Sequence, residues 1–389
     1  MLIYPTSDRA GRARTRPLSL AMLSTYPPTQ CGLATFTAAL RAELVPLCSE
    51  VGVVRVVDSP ETHEGPEVVG HLVNGSGESA SAAVTRLNDY DAVILQHEYG
   101  IFGGPDGADV LALVDALQVP VILVLHTVLH EPTASQRRIL EHLLASCDVV
   151  VTMTRTAHDR LLTTYGADPR RLVVIPHGAI DHQADPTSRP ASTQPLVLTW
   201  GLLGPGKGIE WAIEAMAGLR DLSPHYLVMG KTHPKVLERH GDAYRASLQQ
   251  RVDDLGLADV VDLDPSYLSV RDLAALVERA DVVLLPYDSR EQVTSGVLIE
   301  AVAAGRPVVS TRFPHAVELL ADGTGIVVPQ GDAGALEAAL RRVLSEPGLA
   351  DDMAVRAARK APELFWGAVA GRYRAIAARL VSAALADAS

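Results

Sequence analysis

Residues 281–310, DVVLLPYDSREQVTSGVLIEAVAAGRPVVS, decide how the rest of the chain is read. Asp281–Pro286 is a short run of valine and leucine, the composition of a strand buried on both faces of a parallel sheet. Tyr287–Thr294 is polar and aperiodic, which predicts a loop at the carboxyl end of that strand. Ser295-Gly296 opens an apolar helix over Val297–Ala304, Gly305 stops it, and Pro307–Ser310 forms the next strand. A loop that leaves a strand and ends at a helix N-terminus suits an anion, because unpaired N–H groups and the positive end of the helix dipole face it together. Glu300 lies about one turn into that helix, within reach of another part of the same ligand. The stretch therefore predicts a seat for the diphosphate and ribose of a nucleotide sugar.

Strand-like runs alternate with helical segments on both sides of it. In the first half the runs are Leu18–Leu23, Val51–Val57, Ala92–Leu95, Val119–Leu125, Val149–Thr152 and Leu172–Ile175. Helices between them are expected over Leu33–Leu44, Ala108–Leu117, Ser135–Leu144 and Thr156–Tyr165. Residues 181–195 are polar, carry prolines and lack an apolar period, so they read as a linker. The alternation then restarts with strands at Leu196–Thr199, Tyr226–Met229 and Val260–Leu263 and helices at Ile209–Leu219, Tyr244–Leu255 and Val270–Ala280. This predicts an α/β architecture of two Rossmann-like, doubly wound parallel sheets whose carboxyl ends face one cleft. The expected divisions are 1–185, 186–361 and a helix over 362–389 with the apolar stripe Trp366, Val369, Tyr373 and Ile376.

Composition agrees. A chain of 389 residues exceeds one ordinary core, and 48% hydrophobic residues with only 4% aromatic suit stacked βα units better than a β-sandwich. A net charge of −12 argues against nucleic acid as a partner, and the one basic cluster, Arg9–Arg16, reads as an N-terminal arm. Leu18–Leu23 is too short for a signal-peptide core and Val119–Leu125 falls far below a membrane span. Cys31, Cys48 and Cys147 form neither a metal spacing nor an even disulfide framework. The expectation is a soluble cytoplasmic protein, with peripheral membrane contact not indicated.

Several short constellations carry candidate chemistry. Gly201-Leu-Leu-Gly-Pro-Gly-Lys207-Gly208 nearly spells a Walker A loop, but Gly208 stands where that loop needs a metal-binding hydroxyl. It reads either as a glycine-rich turn with an exposed lysine or as a loop whose backbone approaches a phosphate that Lys207 neutralises. Asp262-Leu-Asp264 is a DxD at a strand end, and His126 and His130 are spaced i, i+4 without a third ligand. Neither makes a metal site, so no metal or other cofactor is expected. His97-Glu98 and His126 follow apolar strands and should emerge at the carboxyl edge of the first sheet as sugar-contacting groups; the plainer alternative is loop hydrogen bonding. Gly32 would let a ligand approach the backbone where the first strand turns into its helix. Cys31 has no basic neighbour and is assigned no chemistry.

In this order and at these spacings the residues resemble the retaining glycosyltransferases of family 4, glycosyl transferases group 1, which have the two-domain GT-B fold. Thr29-Gln-Cys-Gly32 is similar to the family's N-terminal glycine turn, His126 in LVLHT to its strand-end histidine, and Val174-Ile-Pro-His-Gly178 with Asp181 to the segment ViPNGvD. Gly201 with Lys207-Gly208 resembles the GRxxxxKG loop, and Asp281–Pro286 resembles ADvfvlPS. Leu298-Ile-Glu300-Ala301 with Gly305–Val309 resembles LLEAMAcGkPVVa, and the helix around Trp366 resembles the one that crosses back onto the first domain. Three positions depart. Leu202 replaces the loop arginine, Gln292 replaces the first glutamate of the EX7E pair with Glu291 one residue off, and His177 replaces the asparagine of ViPNG.

The resemblance implies metal-independent, retaining transfer of a sugar from a nucleoside diphosphate sugar to a hydroxyl of a carbohydrate or glycolipid. GDP-mannose is the first donor expected and UDP-glucose the second. Lys207 and the Thr294-Ser295-Gly296 amides would hold the leaving diphosphate, and Glu300 the ribose. Gln292 and His126 would contact the donor sugar, Gly32 and Gly201 would give it room, and His97 and Glu98 would face the acceptor. His126, Lys207 and Glu300 are thus the expected catalytic groups. Two rival expectations are a hydrolysing UDP-N-acetylglucosamine epimerase, with Glu98 as its acid–base carboxylate, and a non-catalytic nucleotide-sugar-binding protein, which Leu202 and Gln292 would suit.

Overall fold

The valine- and leucine-rich runs form the inner strands of two parallel sheets in the computed structural model, which describes residues 18–60, 65–182 and 194–387. The first half runs β1 (Ser19–Ser24), α1 (Gly32–Leu44), β2 (Glu50–Val57), β3 (Val68–Val73), α2 (Gly77–Leu87), β4 (Ala92–His97), α3 (Val110–Ala116), β5 (Val121–Leu125), α4 (Ala134–Ser146), β6 (Val149–Thr152), α5 (Arg155–Tyr165) and β7 (Leu172–Val174). The second begins with β8 (Leu196–Trp200), α6 (Ile209–Ala217), β9 (His225–Met229), α7 (Pro234–His240), α8 (Ala243–Asp254), β10 (Val261–Asp264) and α9 (Val270–Arg279). It continues through β11 (Val282–Leu285), α10 (Gly296–Ala303), β12 (Val308–Thr311), α11 (Pro314–Leu319), β13 (Gly325–Val328), α12 (Ala333–Ser345), α13 (Leu349–Leu364) and α14 (Trp366–Asp387).

The strand orders are β3-β2-β1-β4-β5-β6-β7 and β10-β9-β8-β11-β12-β13, every pair parallel. Chain direction around each sheet reverses at one point, between β1 and β4 in the first and between β8 and β11 in the second. Ligands of doubly wound sheets bind outside the carboxyl ends of strands at such a point. The loops after β8 and β11 are the two glycine- and polar-rich stretches singled out above.

Both faces of each sheet are covered, which is why the inner strands are apolar throughout rather than alternating. On the first sheet one face packs against α2 to α5, and the other against α1 and α14. Trp366, Val369, Tyr373 and Ile376 of α14 are all buried there, although the helix follows the second half in sequence. Its start differs from the expected residue 362: Pro362 lies within α13, and the chain turns at the extended Phe365. A proline within the last turn of a helix forfeits only one backbone bond, so α13 runs past it.

The two passages between the halves are fastened together. The Ala179 amide donates to Leu364 O at 2.7 Å, and the Trp366 amide donates to Ala179 O at 2.9 Å. A Cβ at Gly178 would fall 2.1 Å from the Trp366 indole, so only glycine admits that ring. The linker expected at 181–195 and the Arg9–Arg16 arm lie largely or wholly outside the described residues. No helix among the described residues is long and apolar enough to cross a membrane.

Candidate active site

The switch point of the second sheet is built from backbone packed against backbone. Gly208 has φ +63°, and a Cβ there would lie 1.8 Å from the Pro286 carbonyl oxygen. The Asp288 amide donates to Gly206 O at 2.9 Å, and the Leu203 amide to Lys231 O at 2.8 Å. The loops after β8, β9 and β11 therefore lie side by side. A Cβ on Gly230 would fall 2.0 Å from Gly201 O, which explains the second glycine contact. Lys207 projects from this bed with its ammonium 4.2 Å from the centroid of the buried Tyr287 ring, a cation–π contact that limits where the charge can swing.

At the start of α10 one of the three amides expected to face an anion is taken by a protein acceptor. The Ser295 amide donates to His315 Nδ1 at 2.8 Å, and Ser295 Oγ accepts from the Leu298 amide at 3.2 Å, so Ser295 is occupied with capping. His315 acts as acceptor because it is neutral: burial, aided by nearby His177, pushes its pKa down to about 3. Among the described residues the amides of Gly296 and Val297 have no protein acceptor. Thr294 Oγ1 is buried and without a partner among them.

The two acidic residues of this region part company. Glu291 Oε2 accepts from the His130 amide at 2.8 Å and from Arg160 Nη1 at 2.9 Å, both in the first half of the chain. Its neighbour Gln292 stays in the loop, its Nε2 donating to Thr294 O at 3.3 Å. The offset glutamate is thus a tie across the cleft, and Gln292 holds the position beside α10. Glu300 Oε2 accepts from the Ile180 amide at 3.3 Å and lies 3.7 Å from His182 Nε2. Asp262 and Asp264 sit on β10, an edge strand, where Asp264 Oδ1 accepts from the Ser266 amide. No group of three residues among those described is arranged to hold a metal.

On the first sheet, side-chain alternation along β4 separates neighbours. Gln96 turns toward α1, while His97 turns with Leu95 and Val93 into the opposite core, where it is 0% exposed, edge-on to Tyr99 at 5.0 Å and stacked on Phe102 at 6.4 Å. Burial lowers its pKa to about 4. The His97 ring is therefore enclosed in this core and does not emerge at the carboxyl edge, which corrects the expectation from its place at a strand end. Glu98 does lie by the cleft: it accepts from the Thr127 hydroxyl and, at 3.0 Å, from the Tyr99 amide, while Lys235 crosses to donate to Gly100 O at 2.9 Å. Burial raises the Glu98 pKa against these hydrogen bonds and the Lys235 charge.

His126 donates from Nε2 to Gln96 Oε1 at 2.7 Å and meets Phe36 edge-on at 4.9 Å. Burial, with His177 and His97 nearby, brings its pKa to about 3, so Nδ1 remains a lone-pair acceptor. Phe36 also meets His177 at 5.0 Å and Trp366 at 4.9 Å. The His177 ring lies against Gly296 of α10, where a Cβ would come within 2.9 Å of its Cε1 and Nε2. Gly32 opens α1 with nothing within 4 Å of where a Cβ would stand, and Cys31 Sγ caps that helix by accepting from the Ala34 amide at 3.4 Å.

Further ties across the cleft had no local sequence signal. Glu318 of α11 accepts from the Arg155 amide at 2.7 Å and from the Thr156 amide and hydroxyl at 2.8 and 2.7 Å, capping α5 from the other half. Lys231 Nζ reaches Gln30 Oε1 at 3.4 Å.

Residues 31–182 match the family model Glycosyltransferase Family 4, and residues 194–346 match Glycosyl transferases group 1. The chain belongs to glycosyltransferase family 4. Among curated family members, a D-inositol 3-phosphate glycosyltransferase of Kineococcus radiotolerans is 30% identical over 254 residues, 59% of this chain and 57% of that protein. The one of Acidothermus cellulolyticus is 28% identical over 359 residues, 85% of this chain and 78% of that protein. The first of these alignments spans little more than half of the relative's length. Sucrose-phosphate synthase of Thermosynechococcus elongatus superposes with a TM-score of 0.76 at 18% identity, covering 94% of this chain and 100% of that one. Anabaena HepE in complex with UDP and glucose gives 0.74 at 15%, covering 93% and 100%. At such identities the likeness speaks for the fold alone, the two-domain GT-B fold.

Proposed function

We propose that the protein transfers a hexosyl group from a nucleoside diphosphate sugar to a hydroxyl acceptor, with retention at the anomeric carbon and without a divalent ion. One observation supports the reading: at the second sheet's switch point the glycine loop that carries Lys207 lies against the start of α10, where the amides of Gly296 and Val297 are open and His177 of the first half adjoins Gly296. A leaving diphosphate gathers negative charge as the glycosidic bond breaks. A preorganised ammonium and a helix N-terminus stabilise that charge without having to reorganise.

In this reading Glu300 accepts from the ribose hydroxyls, and Gln292 and the neutral His126 hydrogen-bond the sugar. The acceptor hydroxyl attacks from the leaving-group face and passes its proton to the departing phosphate oxygen, so no side chain need serve as base or nucleophile. The contacts that Glu291, Glu318, Lys231 and Lys235 make across the cleft keep water, the competing acceptor, out of the closed site.

GDP-mannose and UDP-glucose are the first donors to test. The curated relatives are named for D-inositol 3-phosphate, so a phosphorylated polyol belongs on the acceptor panel beside sugars and glycolipids. Calorimetric titration with UDP, GDP and their sugars, with and without EDTA, should show metal-insensitive binding of one nucleotide. Product analysis by NMR should then show the donor's anomeric configuration retained. Absence of nucleotide binding overturns the proposal, and inversion or epimerised free sugar overturns the stated chemistry.

A further inference from the structure

We propose that His182 is a positioning residue for the donor: it pins one oxygen of the Glu300 carboxylate and ties that carboxylate to the segment through which the chain leaves the first domain. The inference rests on the reading of Glu300 as the ribose-holding group.

His182 is only 5% exposed in its side chain, with Nδ1 3.1 Å from Glu278 Oε1 and Nε2 3.7 Å from Glu300 Oε2. The second contact is an ion pair and not a hydrogen bond, and the buried Nε2 has no hydrogen-bond partner among the described residues. Two residues earlier the Ile180 amide donates to the same Glu300 Oε2 at 3.3 Å. One oxygen is thus hydrogen-bonded from residue 180 and drawn by charge toward residue 182, and no protein donor to Oε1 is found among the described residues. A carboxylate on a long side chain can present either oxygen at many angles; held this way it presents Oε1 alone, which lowers the ordering cost of binding. The grip also reaches the fastened crossover, because Ile180 adjoins Ala179, whose backbone bonds to Leu364 and Trp366.

The groups facing His182 explain how the grip depends on charge. Glu278 comes from α9 and Glu300 from α10; Arg306 donates to the Glu278 carbonyl at 3.0 Å, Asp181 is adjacent in the chain, and His177, which feels the Glu300 charge, is held neutral by burial. Burial opposes protonation of His182, and the two carboxylates outweigh it, so its pKa is raised above 6.5. The imidazolium bridge is therefore present below that raised pKa and lost as pH rises through it.

The test uses the full chain. Calorimetric Kd values for UDP and GDP, and kcat and KM for whichever donor is turned over, are measured from pH 6 to 9 for wild type, His182→Gln, His182→Phe and Glu300→Gln, with thermal unfolding as a folding check. His182→Phe is expected to weaken nucleotide binding and raise donor KM about fivefold, the scale of one partly exposed ion pair, while kcat stays within about threefold. Wild-type affinity should fall as pH rises, and the fall should vanish in both His182 variants, with His182→Gln partly restoring affinity. If Glu300→Gln binds nucleotide like wild type, the ribose assignment fails and this inference with it. If Glu300→Gln binds weakly but the His182 variants keep wild-type affinity and pH profile, His182 merely packs and this inference alone is overturned. Should His182→Phe not fold, the His182→Gln profile decides.

Discussion

A methyl group at residue 208 would lie 1.8 Å from the Pro286 carbonyl oxygen on a backbone already at φ +63°. Gly208→Ala is therefore expected to cost about 1–2 kcal/mol for the left-handed backbone and to push apart the loops that aim Lys207. A lowered Tm with lost nucleotide binding is the expected result, and unchanged calorimetric affinity would show that the loops have slack. Lys207→Ala should reduce kcat roughly ten- to a thousandfold, the scale of one preorganised charge contact; near-normal turnover sinks its assignment. Gln292→Glu tests whether the amide selects the donor, with a shift in the ratio of kcat/KM between GDP and UDP sugars as the readout. At this scale the sequence was legible as local geometry, in the glycine turn from Gly201 to Gly208 and in the strand, loop and helix from Asp281 to Ala303. It misled at His97, because a parallel strand is apolar on both faces and gives no contrast to say which face turns away from the cleft. His182 and Glu291 take their roles from partners more than ninety residues away in sequence, which no local pattern encodes.

Two carboxylates of the second domain bear on one helix of the first: Glu318 caps the start of α5, and Glu291 pairs with Arg160 along it. Arg160 is 14% exposed and Glu291 39%, so water and salt weaken the pair. Glu291→Gln combined with Glu318→Gln should open the cleft, raising the radius of gyration in small-angle scattering and the donor KM. Scattering identical to wild type would show that these contacts do not hold the halves together. Among the elements themselves, the inner strands and the edge strands β7 and β10 stood out in the sequence, and the edge strands β3 and β13 did not. β3 is half-buried and interrupted by Gly70-His71, and β13 is four residues long and mostly half-buried. An edge strand lacks a neighbour on one side, and with it the burial that selects a continuous apolar run. β3, β13 and the Ser- and Ala-rich α2 consequently have no clear pattern to announce them.

Across the whole molecule, His97, His126, His177 and His315 are held neutral by burial, two of them with pKa values of about 3 and one of about 4. The unfolded chain takes up protons at these groups below pH 6.5, and the folded chain does not until far lower, so stability should fall as pH drops from about 6.5 toward 4. His182 has the opposite sign, its contribution being full below pH 6.5 and lost above its raised pKa. With His233 also lowered, by burial and by Lys235 and Lys207, five imidazoles against one make the acid side dominant, and a Tm that stays flat from pH 7 to 4.5 would contradict the buried neutral imidazoles. The repeated βα pattern announced two sheets, but how they face each other depends on the crossovers, whose pairing of Ala179 with Phe365 joins distant segments. One of these crossovers leads into α14, whose Trp366, Val369, Tyr373 and Ile376 complete the core layer containing Leu20, Met22 and Phe36. On the ribosome, that layer of the first domain must wait uncovered while the entire second domain is synthesised. Nascent chains therefore pass through a long interval with an apolar face open to chaperones or to one another, and folding order cannot follow the order of translation.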